Sequence, residues 1–187
     1  MPVLTSSGVF GVSDLKILPL STDVVGSAPT YGTAVDIPGI KNLKMSKNIA
    51  EKESKGDEKV LDTETTFQYV DVSWENAEVS LDALKAIEGT AAVVQTTGTP
   101  NTASIIESGD DKSAYFQIQC KAKRGSNVAA VGVQLYKVRG TLSYDFVGED
   151  YAVCSFKGKA IPCKGTIETV VAPYRKLTFG DGEITFS

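Results

Sequence analysis

Three cysteines, Cys120, Cys154 and Cys163, are the residues of this chain best suited to redox or metal chemistry, and their surroundings in sequence deny them both. No two of them form a C-x-x-C pair, and the 187 residues include no histidine to complete a zinc site. The missing histidine also removes the commonest general base and the usual activator of a serine or cysteine nucleophile. A Ser-Lys dyad or a carboxylate pair would remain, but Asp110-Asp111 sits in the turn ESGDDK with no evident partner. Nucleotide motifs fail as well: Gly158-Lys159 is followed by Ala160 and has Val153 where a phosphate-binding loop needs glycine, and Gly180-Asp181-Gly182 lacks a third glycine. The ending DGEITFS looks like half of a calcium loop, yet Leu177 and Phe179 stand where carboxylates belong. The reading is a chain with no catalytic residue, no metal ligand and no cofactor, and so not an enzyme. All three should be structural thiols without metal or disulfide: Cys120 and Cys154 alternate with apolar Ile118, Ala122, Ala152 and Phe156 and should be core thiols, so that at most Cys163 should react quickly.

Binding chemistry is nearly as sparse. With 19 basic and 23 acidic residues the net charge is −4, far from the basic footprint of a protein that grips nucleic acid. The best basic cluster, Lys121, Lys123 and Arg124, has only Tyr115 and Phe116 as neighbouring aromatics, and reads as a solvated strand end or a subunit rim. A hydrophobic content of 42% suffices for a sizeable core, and the length fits a single domain, 1–187. No apolar run approaches the ~20 residues that span a bilayer, and MPVLTSSGVF lacks the pattern of a secretory signal, so no membrane partner is expected.

The elements that would have to position any site are mostly strands. Residues 1–13 read as an N-terminal arm, followed by a strand around Leu15 to Leu20. Pro29-Thr30-Tyr31-Gly32 reads as a turn. Val35, Ile37, Ile40 and Leu43 suit an extended segment kinked at Pro38-Gly39. In Phe67 to Trp74, Val70, Val72 and Trp74 fall on one face, and Phe67, Tyr69, Asp71 and Ser73 on the other. Thr96 to Ser104 reads as a loop. Further strands are expected at Tyr115–Lys123, Val128–Val138, Thr141–Phe146 and Tyr151–Ile161. Arg139-Gly140 would be a turn, and a last hairpin would span Leu177 to Phe186. Regular strands with Gly-rich turns predict an all-β fold, a β-sandwich or partly open barrel.

Two segments interrupt that pattern. Ser80 as N-cap, the stripe Leu81, Leu84 and Ile87, and Gly89 as a left-handed C-terminal residue define one helix, which should lie flat on a sheet. The run Lys47 to Lys59, KNIAEKESKGDEK, has Ile49 and Ala50 as its only apolar residues and Gly56-Asp57 as a hairpin signal. It cannot bury itself, and reads as a charged arm.

From the Tyr31-Gly32-Thr33 segment through the charged arm, the Val-rich strand and the Leu81-Asp82-Ala83-Leu84 helix ending in Gly89, about sixty residues resemble the corresponding part of the tail tube proteins, or major tail proteins, of long-tailed bacteriophages. Downstream only the strand pattern agrees. The resemblance implies a structural virion protein, made in the host bacterial cytoplasm and resident in the tail. It would self-assemble into hexameric rings that stack into the conduit for genome delivery. The implied partners are further copies of itself, the tape measure protein, the tail terminator and distal tail proteins, and double-stranded DNA that passes without specific binding. Lys47, Asn48, Ile49, Glu51, Lys52, Glu53, Lys55, Gly56, Asp57, Glu58 and Lys59 would then form an inter-subunit arm. Asp71 and Glu75 would be candidates for an acidic or neutral lumen, since passing phosphates should not be held. The alternative is a non-assembling binding β-sandwich, such as a virion decoration or carbohydrate-binding domain.

Overall fold

The structure is a computed structural model, described for residues 9–56, 59–78, 80–89, 93–96, 102–105, 112–124, 129–146, 153–180 and 184–186. It confirms an all-β protein built on antiparallel strands, with one helix among the described residues. The strands are β1 (Val9–Thr22), β2 (Thr30–Tyr31), β3 (Val35–Asp36), β4 (Ile40–Gly56), β5 (Lys59–Asn76), β6 (Val93–Thr96), β7 (Thr102–Ile105), β8 (Phe116–Arg124), β9 (Ala129–Asp145), β10 (Val153–Ala160), β11 (Thr166–Ile167), β12 (Val170–Val171) and β13 (Arg175–Phe179). The helix α1 spans Leu81–Glu88.

One nine-stranded sheet runs in the order β2-β1-β8-β9-β10-β5-β4, with β3 also on β1 and β13 also on β9. The order does not close into a barrel, and the core side of the sheet holds Leu15, Ile17, Val70, Val72, Trp74, Phe116, Ile118, Leu135, Val138 and Phe156. At its centre Trp74 stacks on Phe156 at 3.9 Å, and both rings meet Phe116 edge-on.

Glycine makes that stack possible. Gly140 and Gly158 are paired across β9 and β10, and a Cβ on either would meet the Phe156 ring at 2.5 Å. Arg139-Gly140 is therefore not the turn the sequence suggests. It is the middle of one 17-residue strand, where glycine admits an aromatic ring against the backbone.

Other expectations shift for similar reasons. Thr30–Tyr31 is not a turn but a strand paired with Leu20 and Thr22, and the reversal lies earlier, at Gly26 with φ 81°. Val9 to Ser13, expected in an arm, belong to β1 and pair with β8. Thr102 to Ser104 form half of the β6–β7 hairpin, not a loop. Ile184 to Phe186 form no strand, and Ile184 is buried against Gly132. The alternation in β8 does not divide core from solvent, because Gln117 is buried like Phe116.

The helix conforms most closely. Ser80 Oγ accepts the Ala83 N–H at 3.4 Å, and Ala83, Leu84, Ala86 and Ile87 are buried. Gly89 has φ 98° and ψ 157°, positive as expected but outside the left-handed helical region, and its N–H donates to the Lys85 carbonyl.

Candidate assembly surface

The arm arises where β4 and β5 outgrow the sheet. β10 pairs with β5 only from Val70 to Asn76, whereas β4 pairs with β5 all the way to Gly56 and Lys59. Below Val70 the two strands continue as a ribbon, roughly 30 Å long at the rise of an extended chain. Among the described residues it has no strand on either outer edge. Residues 51–53 and 63–66 are exposed on both faces of the ribbon. Lys47, Asn48, Ile49, Glu51, Lys52, Glu53, Lys55 and Gly56 lie on β4 and Lys59 on β5, while Asp57 and Glu58 fall outside the described residues.

Period-two geometry sorts the charges that look mixed in sequence. The odd-numbered residues of β4 start in the core with Leu43 and Met45, then emerge as Lys47, Ile49, Glu51 and Glu53. Glu51 lies opposite Thr65 and Glu53 opposite Thr63, so the two carboxylates of this face follow Lys47 along it. On the other face Lys52 lies opposite Glu64, a matched cross-strand pair.

The base of the arm is braced by a feature that alternation cannot predict. Asn48 pairs with Tyr69 and Ile49 with Phe67, which leaves Gln68 as a bulge. The bulge turns Phe67 to the core side, where its ring stacks on Tyr174 at 4.3 Å and lies under the Lys47 ammonium at 5.8 Å. The assignment of Phe67 to the face of Tyr69 and Asp71 is thus corrected. Tyr69 itself accepts from Asn48 Nδ2 at 3.2 Å and sits beneath Lys159 Nζ at 3.9 Å.

Asp71 and Glu75 lie on the face of β5 away from Val70, Val72 and Trp74, both exposed, with Asn42 Nδ2 donating to Glu75 at 3.0 Å. Their neighbours are cationic. One cross-strand row reads Lys44, Ser73, Lys157, Thr141, and the next reads Ser46, Asp71, Lys159, Arg139. That part of the surface is mixed with an excess of cations, not acidic.

Other candidates lose their chemistry in three dimensions. Phe116 is fully buried, and Tyr115 lies between Lys137 and Arg139 at 4.9 and 4.8 Å, so neither ring offers a base-stacking platform to the Lys121, Lys123 and Arg124 cluster. Asp110-Asp111 lies outside the described residues. A groove beside α1 of about 850 Å³ includes Ser80 and Lys85 in its lining, but the Ser80 hydroxyl is the helix cap. Among the described residues no three His, Cys, Asp or Glu side chains cluster to hold a metal, and no helix is long and apolar enough to cross a membrane.

All three cysteines are buried, as expected of structural thiols, and even Cys163 is 2% exposed with its Sγ donating to the Pro173 carbonyl at 3.0 Å. Burial pushes the Cys163 thiol up to about 11 and the Cys120 thiol to about 12, which leaves little thiolate at neutral pH.

Sequence reasoning missed an ion pair. Asp23 Oδ2 accepts from Lys137 Nζ at 2.6 Å, while Oδ1 accepts the N–H groups of Lys164 and Gly165 at 2.7 and 3.2 Å. Partial burial pushes the carboxyl pKa up, but the Lys137 and backbone hydrogen bonds outweigh it, and the net shift is downward. This pair ties the β1–β2 connection to the segment before β11. Only the strand-ending Ser21-Thr22-Asp23 hints at it in sequence.

No family model matches the chain, and no curated protein matches it. Among solved structures, one described as "Cryo-EM structure of the anti-feeding prophage (AFP) baseplate, 6-fold symmetrised" superposes with a TM-score of 0.49 at 6% identity, over 94% of this chain and 97% of that one. A likeness of that degree establishes neither a shared family nor a shared function.

Proposed function

We propose that this chain is a structural subunit of a bacteriophage tail tube, which closes into hexameric rings that stack into a conduit for the genome, and that it carries out no catalysis. The observation that carries the reading is the β4–β5 ribbon. It is a ladder with two bulges and, among the described residues, no strand on either outer edge; it is exposed at residues 51–53 and 63–66 and continuous with strands whose other ends enter the core. A long free edge is an aggregation hazard in a solitary protein and an asset in one that pairs with its own copies. The resemblance of residues 30–89 to tail tube proteins supplies the partner. On this reading the tape measure protein occupies the lumen, terminator and distal tail proteins cap the ends, and DNA passes without being bound.

Negative-stain microscopy of the concentrated pure protein tests the proposal. Rings or hollow tubes are expected. A population that stays monomeric at every concentration would contradict it and favour the non-assembling binding domain.

A further inference from the structure

Two deeply buried side-chain atoms, Trp74 Nε1 and Asn76 Oδ1, have no hydrogen-bond partner among the described residues. Their residues are 1% and 5% exposed. The two atoms are complementary, because an indole N–H can only donate and an amide oxygen can only accept. The sense of the Asn76 amide is fixed at its other end, where Nδ2 donates to the Glu78 carbonyl. Trp74 and Asn76 lie two residues apart on one face of β5, about 6.7 Å along the strand, and are not bonded to each other. Polar atoms left unpaired in an apolar interior are costly, so a third group between them is called for.

Both residues line one small cavity beneath α1, together with Ser80, Cys154 and an apolar wall that includes Leu84 and Ile87. A water-sized sphere can move its centre through about 10 Å³ of it, which is room for one water and too little for an organic molecule. Ser80 Oγ accepts the Ala83 N–H, which leaves its own O–H to donate elsewhere. Cys154 is paired with Asn76 across β10 and β5, and its sulfur is a weak acceptor. The lining thus offers two donors and two acceptors, the complement of a tetrahedral water. Among the described residues it includes no carboxylate, so the site suits a neutral molecule and not a cation.

We propose that the cavity binds one ordered water as a fixed part of the subunit, accepting from Trp74 Nε1 and donating to Asn76 Oδ1. The Ser80 hydroxyl and the Cys154 sulfur complete its shell. The water joins three elements at one point: the cap of α1 through Ser80, β5 through Trp74 and Asn76, and β10 through Cys154. The site lies inside one subunit, so its occupancy does not depend on assembly.

Trp74 is the only tryptophan of the chain, so its indole N–H gives a single resonance in isotope-labelled protein. In the unassembled subunit this proton should cross-relax with water, with the sign of a long-lived bound molecule and not of chemical exchange. A crystallographic or cryo-microscopy map fine enough to show water should hold one peak within hydrogen-bond reach of both atoms. Cys154→Val places a larger apolar group in the cavity. That variant should fold, by circular dichroism, lose the cross-relaxation and shift the indole proton upfield. An indole proton without cross-relaxation, an empty cavity in the map, or Asn76 turned to accept from Trp74 directly would overturn the proposal. A folded Cys154→Val protein that keeps the water signal would overturn it as well. If Cys154→Val does not fold, the wild-type signal and map decide alone.

Discussion

The same two strands, β4 and β5, meet opposite fates at their two ends. Between Leu43 and Met45 on β4 and Val70, Val72 and Trp74 on β5, alternate side chains enter the core, and the ladder is held by packing. Between Glu51 and Glu53, opposite Thr63 to Thr65, the register continues but the residues of both strands are exposed. A two-stranded ribbon by itself is marginal in water. The exposed half is therefore held in shape by its buried root, through the Gln68 bulge and the Phe67–Tyr174 stack, and gains little for the subunit in return. Stability resides at the root, and the arm's contribution must come from contacts beyond the molecule.

Substitutions at the two ends should separate accordingly. The largest loss is expected at the root, where Trp74→Ala removes a ring that is 1% exposed and stacked on Phe156, at a cost of ~3–5 kcal/mol in denaturant melts of the unassembled protein. Asp23→Ala should follow at about 3 kcal/mol, because it strands the nearly buried Lys137 ammonium and two backbone N–H groups. The folded pKa of Asp23 lies below its ordinary 3.8. Its contribution is thus full above that unfolded value and lost as pH falls through the lower folded one. The wild-type and Asp23→Ala stabilities should converge in acid, and a gap that widened with acid would refute the assignment. Ser80→Ala should cost ~1 kcal/mol by removing the cap on α1. A cost near zero would mean that the helix is held by Leu84 and Ile87 alone.

Where one physical rule acted locally, the sequence was legible. The α1 cap and stripe, the Pro38-Gly39 kink, the burial of Val70, Val72 and Trp74, and the continuous charged hairpin all follow from neighbours in sequence. Misreadings came where a distant group decides. Gly140 looks like a turn until the Phe156 ring is placed over it, and Phe67 changes face only because Tyr174 awaits it on the other side. Gln117 is polar by type and buried by topology, on a sheet strand whose second face is also covered. Cys163 carries no strand signal, and it is the Pro173 carbonyl that fixes its thiol in the interior. In the candidate assembly surface the outgoing half of the arm was readable, but its return along β5 from Lys59, the sorting of Glu51 and Glu53 to one face, and the cationic rows around Asp71 required the pairing of β4, β5 and β10.

The most direct test of the arm as the assembly device is to replace residues 49–57 by a short Gly-Ser turn and to examine the purified variant by circular dichroism and negative-stain microscopy beside the wild type. The expected result is an unchanged β spectrum and melting curve with stacked tubes absent. Normal tubes from the folded variant would contradict the account, and an unfolded variant would show that the ribbon belongs to the core after all.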